Sequence, residues 1–454
     1  MEFFRKRILV VGIGKSGISS SLWLAGQGAD VALADIKEET ELDADVLNRI
    51  MAAGVRLELG AHRGETFVNS DLIVVSPGVP LDMDVLRAAK EKGVPVIGEM
   101  ELAARYFNTP IIAVTGTNGK TTAVSLLGEM IKGSGRKVFV GGNIGTPAME
   151  YAAGKKDCDY AVLEASSFQL DTIEKFRPKI ALLMNITPDH LERYAGFDAY
   201  VQSKLRIFEN QGNGDWAILN DDDEAMHHFS RTDGPALLRY GMRKKNKRRH
   251  AYMEGRRLIA GLPGEKEHSF DTETFLLPGT HNIENLMGIV LAALAAGVGQ
   301  ETIQSCISSF RGLPHRIEPV GSIRGVGFYD DSKATNVDAA VRAIQSFNRP
   351  IVLIAGGRHK GGEYKPMVDV SRGKVKAAIL MGESKQLMAD AFDRIIPYIF
   401  AEDMRDAVAR AFSIAVKEDI VLLAPACSSF DMFTDYAHRG NVFKTEVERL
   451  KSAA

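Results

Sequence analysis

Cysteine is scarce in this chain: Cys158, Cys306 and Cys427 stand among 454 residues, an odd number with no short pairing spacing. That usage excludes a disulfide scaffold and fits a reducing compartment. Long apolar runs are missing as well. No stretch of about 18 apolar residues occurs, so nothing is expected to span a membrane. Met1-Glu2-Phe3-Phe4-Arg5-Lys6-Arg7 lacks an apolar signal core and leads straight into a strand, so a cytoplasmic chain is expected. Nor is there an excess of charge. Lys and Arg number 56 against 58 Asp and Glu, and a net charge of -2 argues against a general nucleic-acid binder. One basic run at 243–250, from Arg243 to His250, stands out and reads as a solvated hairpin or loop.

What is present is ordinary in bulk and specific in detail. The apolar fraction of 45% and charged fraction of 25% suit a globular protein, and the length allows two to four domains. The informative stretch is Ile111-Ile112-Ala113-Val114-Thr115-Gly116-Thr117-Asn118-Gly119-Lys120-Thr121-Thr122. An apolar strand enters a glycine-bearing turn, followed by a lysine, two hydroxyls and a helix. Backbone N–H groups of such a turn point at a phosphate, the lysine reaches the outer phosphates, and the first hydroxyl, Thr121, is placed for Mg²⁺. The general pattern has glycine where this chain has Val114, so the turn must be built differently. A nucleoside triphosphate is the expected ligand.

Residues 7–98 read as an α/β unit. Ile8-Leu9-Val10-Val11 enters Gly12-Ile13-Gly14-Lys15-Ser16-Gly17, and a second strand ends in Asp35. Glycine fingerprint and acid together make a dinucleotide-type site, with the acid on a ribose hydroxyl; alone they predict NAD and leave the ligand open. A third apolar run ends in Ser76-Pro77-Gly78. Parallel sheets bind ligands at the carboxyl ends of their strands, where all three loops fall.

Residues 99–312 continue the pattern. Strands end at Gly141-Gly142-Asn143, at Glu164 and at Asn185, the last followed by Thr187-Pro188-Asp189-His190. Glu164 and His190 read as Mg²⁺ partners, since hard cations prefer oxygen ligands; His190 also reads as a satisfied loop histidine. Residues 200–208 form a helix with Val201, Leu205 and Phe208 on one face, and Lys204 is by default a surface lysine. Asn282 and Asn285 share a face of the helix that His281 opens, which suits base or metal-shell contacts as well as capping. In residues 313–454, strands end at Asp330-Asp331, at Gly356-Gly357-Arg358-His359-Lys360 and at Pro425-Ala426-Cys427-Ser428-Ser429-Phe430. Arg316, Lys333 and Lys360 beside these loops point to an anionic substrate. With no histidine close in sequence, Cys427 is read as a small buried residue.

Three α/β segments carrying TGTNGKTT at 115–122, HNIEN at 281–285, LPHRIE at 313–318 and DDSKATN at 330–336 resemble the Mur ligase family, over nearly the whole chain. The resemblance implies three domains: an N-terminal Rossmann-like UDP-sugar domain (1–98), a central P-loop-type ATPase (99–312) and a C-terminal Rossmann-like amino-acid domain (313–454). Within the family, the GxGxSG start and DDSKATN point to the activity that joins D-glutamate to UDP-N-acetylmuramoyl-L-alanine for peptidoglycan precursors. ATP and two Mg²⁺ are then expected, with small-molecule substrates, no nucleic acid and a monomer. Domain closure would bring the two substrates together.

The resemblance reassigns the N-terminal fingerprint to UDP, through Gly14, Lys15, Ser16, Asp35 and Lys37, with Ser76, Gly78 and Asn143 on the same sugar-nucleotide path. It places ATP on Gly116, Thr117, Asn118, Gly119, Lys120, Thr121 and Thr122, and on Asn282, Asn285, Arg316 and Asp331. The metal would lie on Thr121, Glu164, His190 and a Lys204 carboxylated at its amine, which turns a repelled ammonium into an oxygen ligand. D-Glutamate would lie on Lys333, Thr335, Lys360, Ser429, Phe430 and Tyr436, the last often phenylalanine in the family. Lys120, His190, Lys204 and Arg316 would carry the catalysis. A dehydrogenase would leave the 115–122 loop unexplained, and a nucleotide switch needs fewer polar loops. A sister ligase adding another amino acid, or a folate-type polyglutamate ligase, is the nearer rival.

Overall fold

A computed structural model describes residues 2–189, 193–227, 229–230, 233–243, 249–359 and 363–453. Three sheets organise the chain. The first holds β1 (Arg7–Val11), β2 (Asp30–Asp35), β3 (Arg56–Leu59), β4 (Leu72–Val75) and β5 (Val96–Gly98), all parallel in the order β3-β2-β1-β4-β5. The order reverses between β1 and β4, which opens a crevice at their carboxyl ends.

The second sheet holds β6 (Ile111–Thr115), β7 (Val138–Gly142), β8 (Tyr160–Glu164), β9 (Ile180–Leu183), β10 (Trp216–Asn220), β11 (Ala236–Tyr240), β12 (Arg249–Glu254), β13 (Arg257–Ala260) and β14 (His268–Asp271). Its order is β14-β13-β12-β11-β10-β9-β6-β8-β7. Among the described residues, only the β12–β13 and β13–β14 pairs are antiparallel. Strand β6, which enters the 115–122 turn, therefore lies between β8 and β9, and its flanking strands are the ones leading to Glu164 and Asn185. The third sheet holds β15 (Glu318–Ile323), β16 (Val326–Asp330), β17 (Ile351–Gly356), β18 (Val375–Met381), β19 (Tyr398–Phe400) and β20 (Ile420–Leu423), in the order β15-β16-β20-β17-β18-β19. β15 runs antiparallel to β16 and the rest are parallel.

The central strands are apolar throughout because helices cover both faces of a parallel sheet. Every residue of β6 and of β20 is buried. Each fully buried Ile, Leu or Val contributes about 1.5–3 kcal/mol. Among the helices, α1 (Lys15–Gly26) follows β1, α2 (Lys120–Gly133) follows β6, and α3 (Phe197–Leu205) precedes a 3₁₀ turn at Arg206–Phe208. α4 (Thr280–Ala295), α5 (Val337–Gln345) and α6 (Tyr436–Ala453) complete the set used below.

Packing divides the chain into two compact units. The first takes residues up to 186, 193–271 and 286–306, and so contains the first two sheets. One apolar cluster running from Val10 and Leu33 through Met100 and Met149 to Leu163 and Leu183 joins them. The second takes the rest, with the third sheet and the short segments at 187–189 and 272–285. No helix among the described residues is long and apolar enough to cross a membrane.

Candidate functional site

In the first unit the loop after β6 is held by backbone and by one asparagine. Gly116 has φ +154°, and a Cβ there would come within 3.3 Å of the Asn185 backbone. Gly119, with φ +84°, caps α2, and the N–H groups of Thr121 and Thr122 fall in the first turn, where the helix offers no carbonyls. Asn185 clamps the turn. Its carbonyl accepts the Thr117 N–H at 2.8 Å, its Oδ1 accepts the Asn118 N–H at 2.8 Å, and its Nδ2 donates to the Asn118 carbonyl at 3.0 Å. The glycine absent at position 114 is thus not needed: close approach occurs at Gly116, against the end of β9.

Two ammonium groups converge on this turn. Lys120 Nζ donates to the carbonyls of Gly116 (2.9 Å) and Thr117 (2.8 Å), and Lys204 Nζ donates to that same Gly116 carbonyl at 2.9 Å. Lys204 is only 1% exposed and lies over the Tyr200 ring at 4.6 Å, which corrects the expectation of a surface lysine. The Tyr200 hydroxyl meets Thr117 Oγ1 at 3.2 Å. On the other side, buried Glu164 accepts from Thr121 Oγ1 at 2.8 Å and from Asn143 Nδ2 at 2.9 Å. One carboxylate thereby joins the loops after β6, β7 and β8. Hydroxyl and carboxylate at this spacing suit a hard cation such as Mg²⁺, whereas the ammonium of Lys204 is a donor and offers no lone pair. His190 lies outside the described residues.

The crevice of the first sheet is also in this unit. Asp35 accepts the N–H of Ile13 at 2.7 Å and of Lys37 at 3.0 Å, so it pins the fingerprint loop to the end of β2. Each of its oxygens keeps a lone pair for a further donor. Ser76 Oγ donates to the Gly12 carbonyl at 3.0 Å. Gly14, Lys15, Lys37, Gly78 and Asn143 are exposed, and Ser16 is half-buried. Arg193, which the sequence reading did not single out, donates to the carbonyls of Val79 (2.9 Å) and Pro77 (3.3 Å) and stacks 3.9 Å from the Phe168 ring. Nothing in its local sequence marks that role.

In the second unit the loops after β16, β20 and β17 adjoin one another. Asp330 accepts from Ser332 N–H at 2.8 Å and meets His315 Nδ1 at 2.7 Å. Burial raises the Asp330 carboxyl, and the His315 hydrogen bond opposes that rise. Asp331 accepts the Ile317 N–H at 3.2 Å; burial pushes its pKa up to about 7 against the pull of Arg316. Lys333 Nζ sits 3.7 Å from the Tyr436 ring centre, and Thr335 N–H donates to the Lys333 carbonyl at 2.8 Å. Ser429 is buried and Phe430 is 62% exposed. Lys360 lies outside the described residues.

Asn282 Nδ2 donates to the Pro278 carbonyl at 2.7 Å, and Asn285 is buried one helical turn on. Asn336 caps α5 and donates to Asp189 at 3.3 Å, while Thr187 donates to Asp338 at 3.0 Å. The segment before His190 therefore packs on the helix that follows DDSKATN. Cys427 is buried, with its thiol 3.1 Å from the Tyr364 hydroxyl and 3.2 Å from Ser384 Oγ, and burial raises its pKa. All three cysteines are free.

Three family descriptions match successive segments of the chain. The family described as Mur ligase MurD-like, N-terminal domain, matches residues 6–98; the Mur ligase middle domain matches 114–296; the Mur ligase, glutamate ligase domain matches 315–427. The chain is 43% identical over 450 residues to a UDP-N-acetylmuramoylalanine–D-glutamate ligase of Koribacter versatilis, covering 99% of each. It is 45% identical over 451 residues to a protein of the same description in Desulfosudis oleivorans, covering 99% of this chain and 98% of the relative. Among solved structures, a pseudomurein peptide ligase type C from Methanothermus fervidus superposes with a TM-score of 0.62 at 18% identity, covering 98% of this chain and 100% of that one. A MurF ligase from Thermotoga maritima in complex with ADP superposes with a TM-score of 0.60 at 15% identity, covering 93% and 96%.

Proposed function

The chain belongs to the Mur ligase family, and from that premise we infer that it joins D-glutamate to UDP-N-acetylmuramoyl-L-alanine at the expense of ATP, in the synthesis of peptidoglycan precursors. The observation that carries the reading is the meeting of Lys120, Lys204, Thr121 and Glu164 around the Gly116 turn. Such a cradle suits a triphosphate, whose charge the Lys120 ammonium is placed to oppose.

The free carboxylate of the UDP-sugar–alanine attacks the γ-phosphorus of ATP, giving an acyl phosphate and ADP. Both reactants are anionic, so positioning and charge neutralisation are the protein's main tasks. Lys120 and Arg316 take that role in this reading. Thr121 and Glu164, with His190 and a carboxylated Lys204, would hold Mg²⁺, which supplies further neutralisation of the phosphates. The amine of D-glutamate then attacks the acyl carbon, and the tetrahedral intermediate collapses with loss of phosphate and of the amine proton. Lys333, Thr335, Lys360, Ser429, Phe430 and Tyr436 would hold the amino acid. Asn282, Asn285 and Asp331 would serve the nucleotide, and Gly14, Lys15, Ser16, Asp35, Lys37, Ser76, Gly78 and Asn143 the UDP-sugar.

The division into a UDP-sugar domain (1–98), an ATPase (99–312) and an amino-acid domain (313–454) belongs to the same reading, as do a cytoplasmic location and a monomeric state. The test is phosphate release from ATP and Mg²⁺ with UDP-N-acetylmuramoyl-L-alanine across a panel of amino acids. D-Glutamate alone is expected to support release, with a product heavier by one glutamate residue. Release with a different amino acid moves the chain to a sister activity, and release with none of them removes the ligase reading.

A further inference from the structure

Arg439, in the first turn of α6, heads the fully buried side chains by volume at 2% exposure. A buried guanidinium is costly unless its donors are met. Here Nε donates to Ser332 Oγ at 2.9 Å, and Nη2 to the carbonyls of Ser332 (2.8 Å) and Cys427 (3.2 Å). Nη1 donates to the carbonyls of Cys427 (3.2 Å), Ser428 (3.4 Å) and Gly356 (3.5 Å). Among the described residues every hydrogen-bond partner is a neutral oxygen. Burial lowers its pKa to about 10, so it is a cation at neutral pH, and Asp431 and Asp330 act on it only through space.

The partners belong to the loops after β16, β17 and β20, three adjacent strands. These loops carry Lys333, Thr335, Ser429 and Phe430. A planar fork spans three loops at fixed spacing, which a point-like ammonium does not. Peptide planarity adds a second effect. With the Ser428 carbonyl turned toward the guanidinium, the N–H of Ser429 points the opposite way. Arg358 and Ser428 exchange backbone hydrogen bonds at 2.9 and 3.1 Å, which tie the β17 and β20 loops together.

We propose that Arg439 is the positioning residue of the amino-acid site. By holding the carbonyls of Ser332, Cys427 and Ser428, it sets the 333–335 and 428–430 segments in the arrangement that takes the carboxylates of D-glutamate, without itself touching the ligand. This rests on the D-glutamate reading above. Steady-state kinetics of the full chain tests it with Arg439→Lys, Ser332→Ala and, as a control in the same helix, Phe443→Leu in the buried core.

The KM for D-glutamate is expected to rise at least tenfold in Arg439→Lys and about threefold in Ser332→Ala. The KM values for ATP and the UDP-sugar should stay within twofold, and Phe443→Leu should leave all three unchanged. An unchanged KM for D-glutamate in Ser332→Ala and in folded Arg439→Lys overturns the proposal. So does an equal rise in all three KM values, or the same rise in Phe443→Leu, since a merely structural role would produce either. Wild-type protein that does not use D-glutamate removes the functional reading itself, a result separate from any variant.

Discussion

Lys120 and Lys204 arrive at one carbonyl from sequence positions 84 apart, and each contributes differently to what can be tested. Lys120→Ala removes an ammonium that in this reading opposes charge developing on the transferred phosphoryl. Turnover should fall on the order of 10²–10³-fold, with UDP-sugar binding retained by calorimetric titration. Normal turnover in that variant would sink the phosphate-loop assignment. Glu99 yields a pH prediction. Its side chain is buried, Oε1 accepts the Met149 N–H at 2.6 Å, Oε2 has no hydrogen-bond partner among the described residues, and burial raises its pKa from 4.5 to about 7. A carboxyl raised on folding binds its proton more tightly in the native state. Its stabilising contribution is therefore full below about pH 4.5 and is lost as pH rises through about 7. Glu99→Gln should grow more stable relative to wild type between pH 4.5 and 8, by at most about 3 kcal/mol in urea unfolding. A difference that stays flat with pH would refute it. The burial of Lys204 was readable in hindsight, because it stands three residues after Val201 on the apolar face of its helix. Asn185 as a clamp, Arg193 and Arg439 were not. Their partners lie far off in sequence, and no periodicity records such contacts.

Elements were more legible than side chains. Apolar runs ending in glycine or polar residues located the strands whose loops carry the candidate site, since strands buried on both faces must be apolar along their length. Boundaries shifted where capping decides them: α3 begins at Phe197 after Gly196 and gives way to a 3₁₀ turn at Arg206, within the single helix expected. The fingerprint glycines have separate physical duties. Gly12 adopts φ +97°, while a Cβ on Gly17 would lie 1.8 Å from the Gly12 carbonyl oxygen. Gly17→Ala must push α1 away from β1, at a cost of about 1–3 kcal/mol or more. Its expected signature is a lower denaturation midpoint together with weakened UDP-sugar binding. Native-like values for both would show that α1 can shift without cost.

At the scale of the molecule, three α/β segments were legible and the packing of the chain into two units was not. Segments 187–189 and 272–285 join the second unit through contacts such as Thr187 with Asp338, which no local pattern announces. Two units predict departure from two-state unfolding. Scanning calorimetry should resolve more than one transition in the ligand-free chain. UDP-sugar at about 100 times its Kd should stabilise the first unit by about 2.7 kcal/mol and leave the second transition in place, because all its proposed contacts lie in the first unit. A single transition that shifts as a whole would contradict this. The β12–β13 hairpin has a practical use. Its exposed turn at Gly255 belongs to the central sheet that also carries the 115–122 turn. Four strand spacings, about 19 Å, separate β12 from β6. A cysteine-bearing insertion after Gly255, in a background with Cys158 and Cys306 replaced and Cys427 left in the core, would give a fluorophore near enough to register nucleotide arrival and far enough to leave it undisturbed.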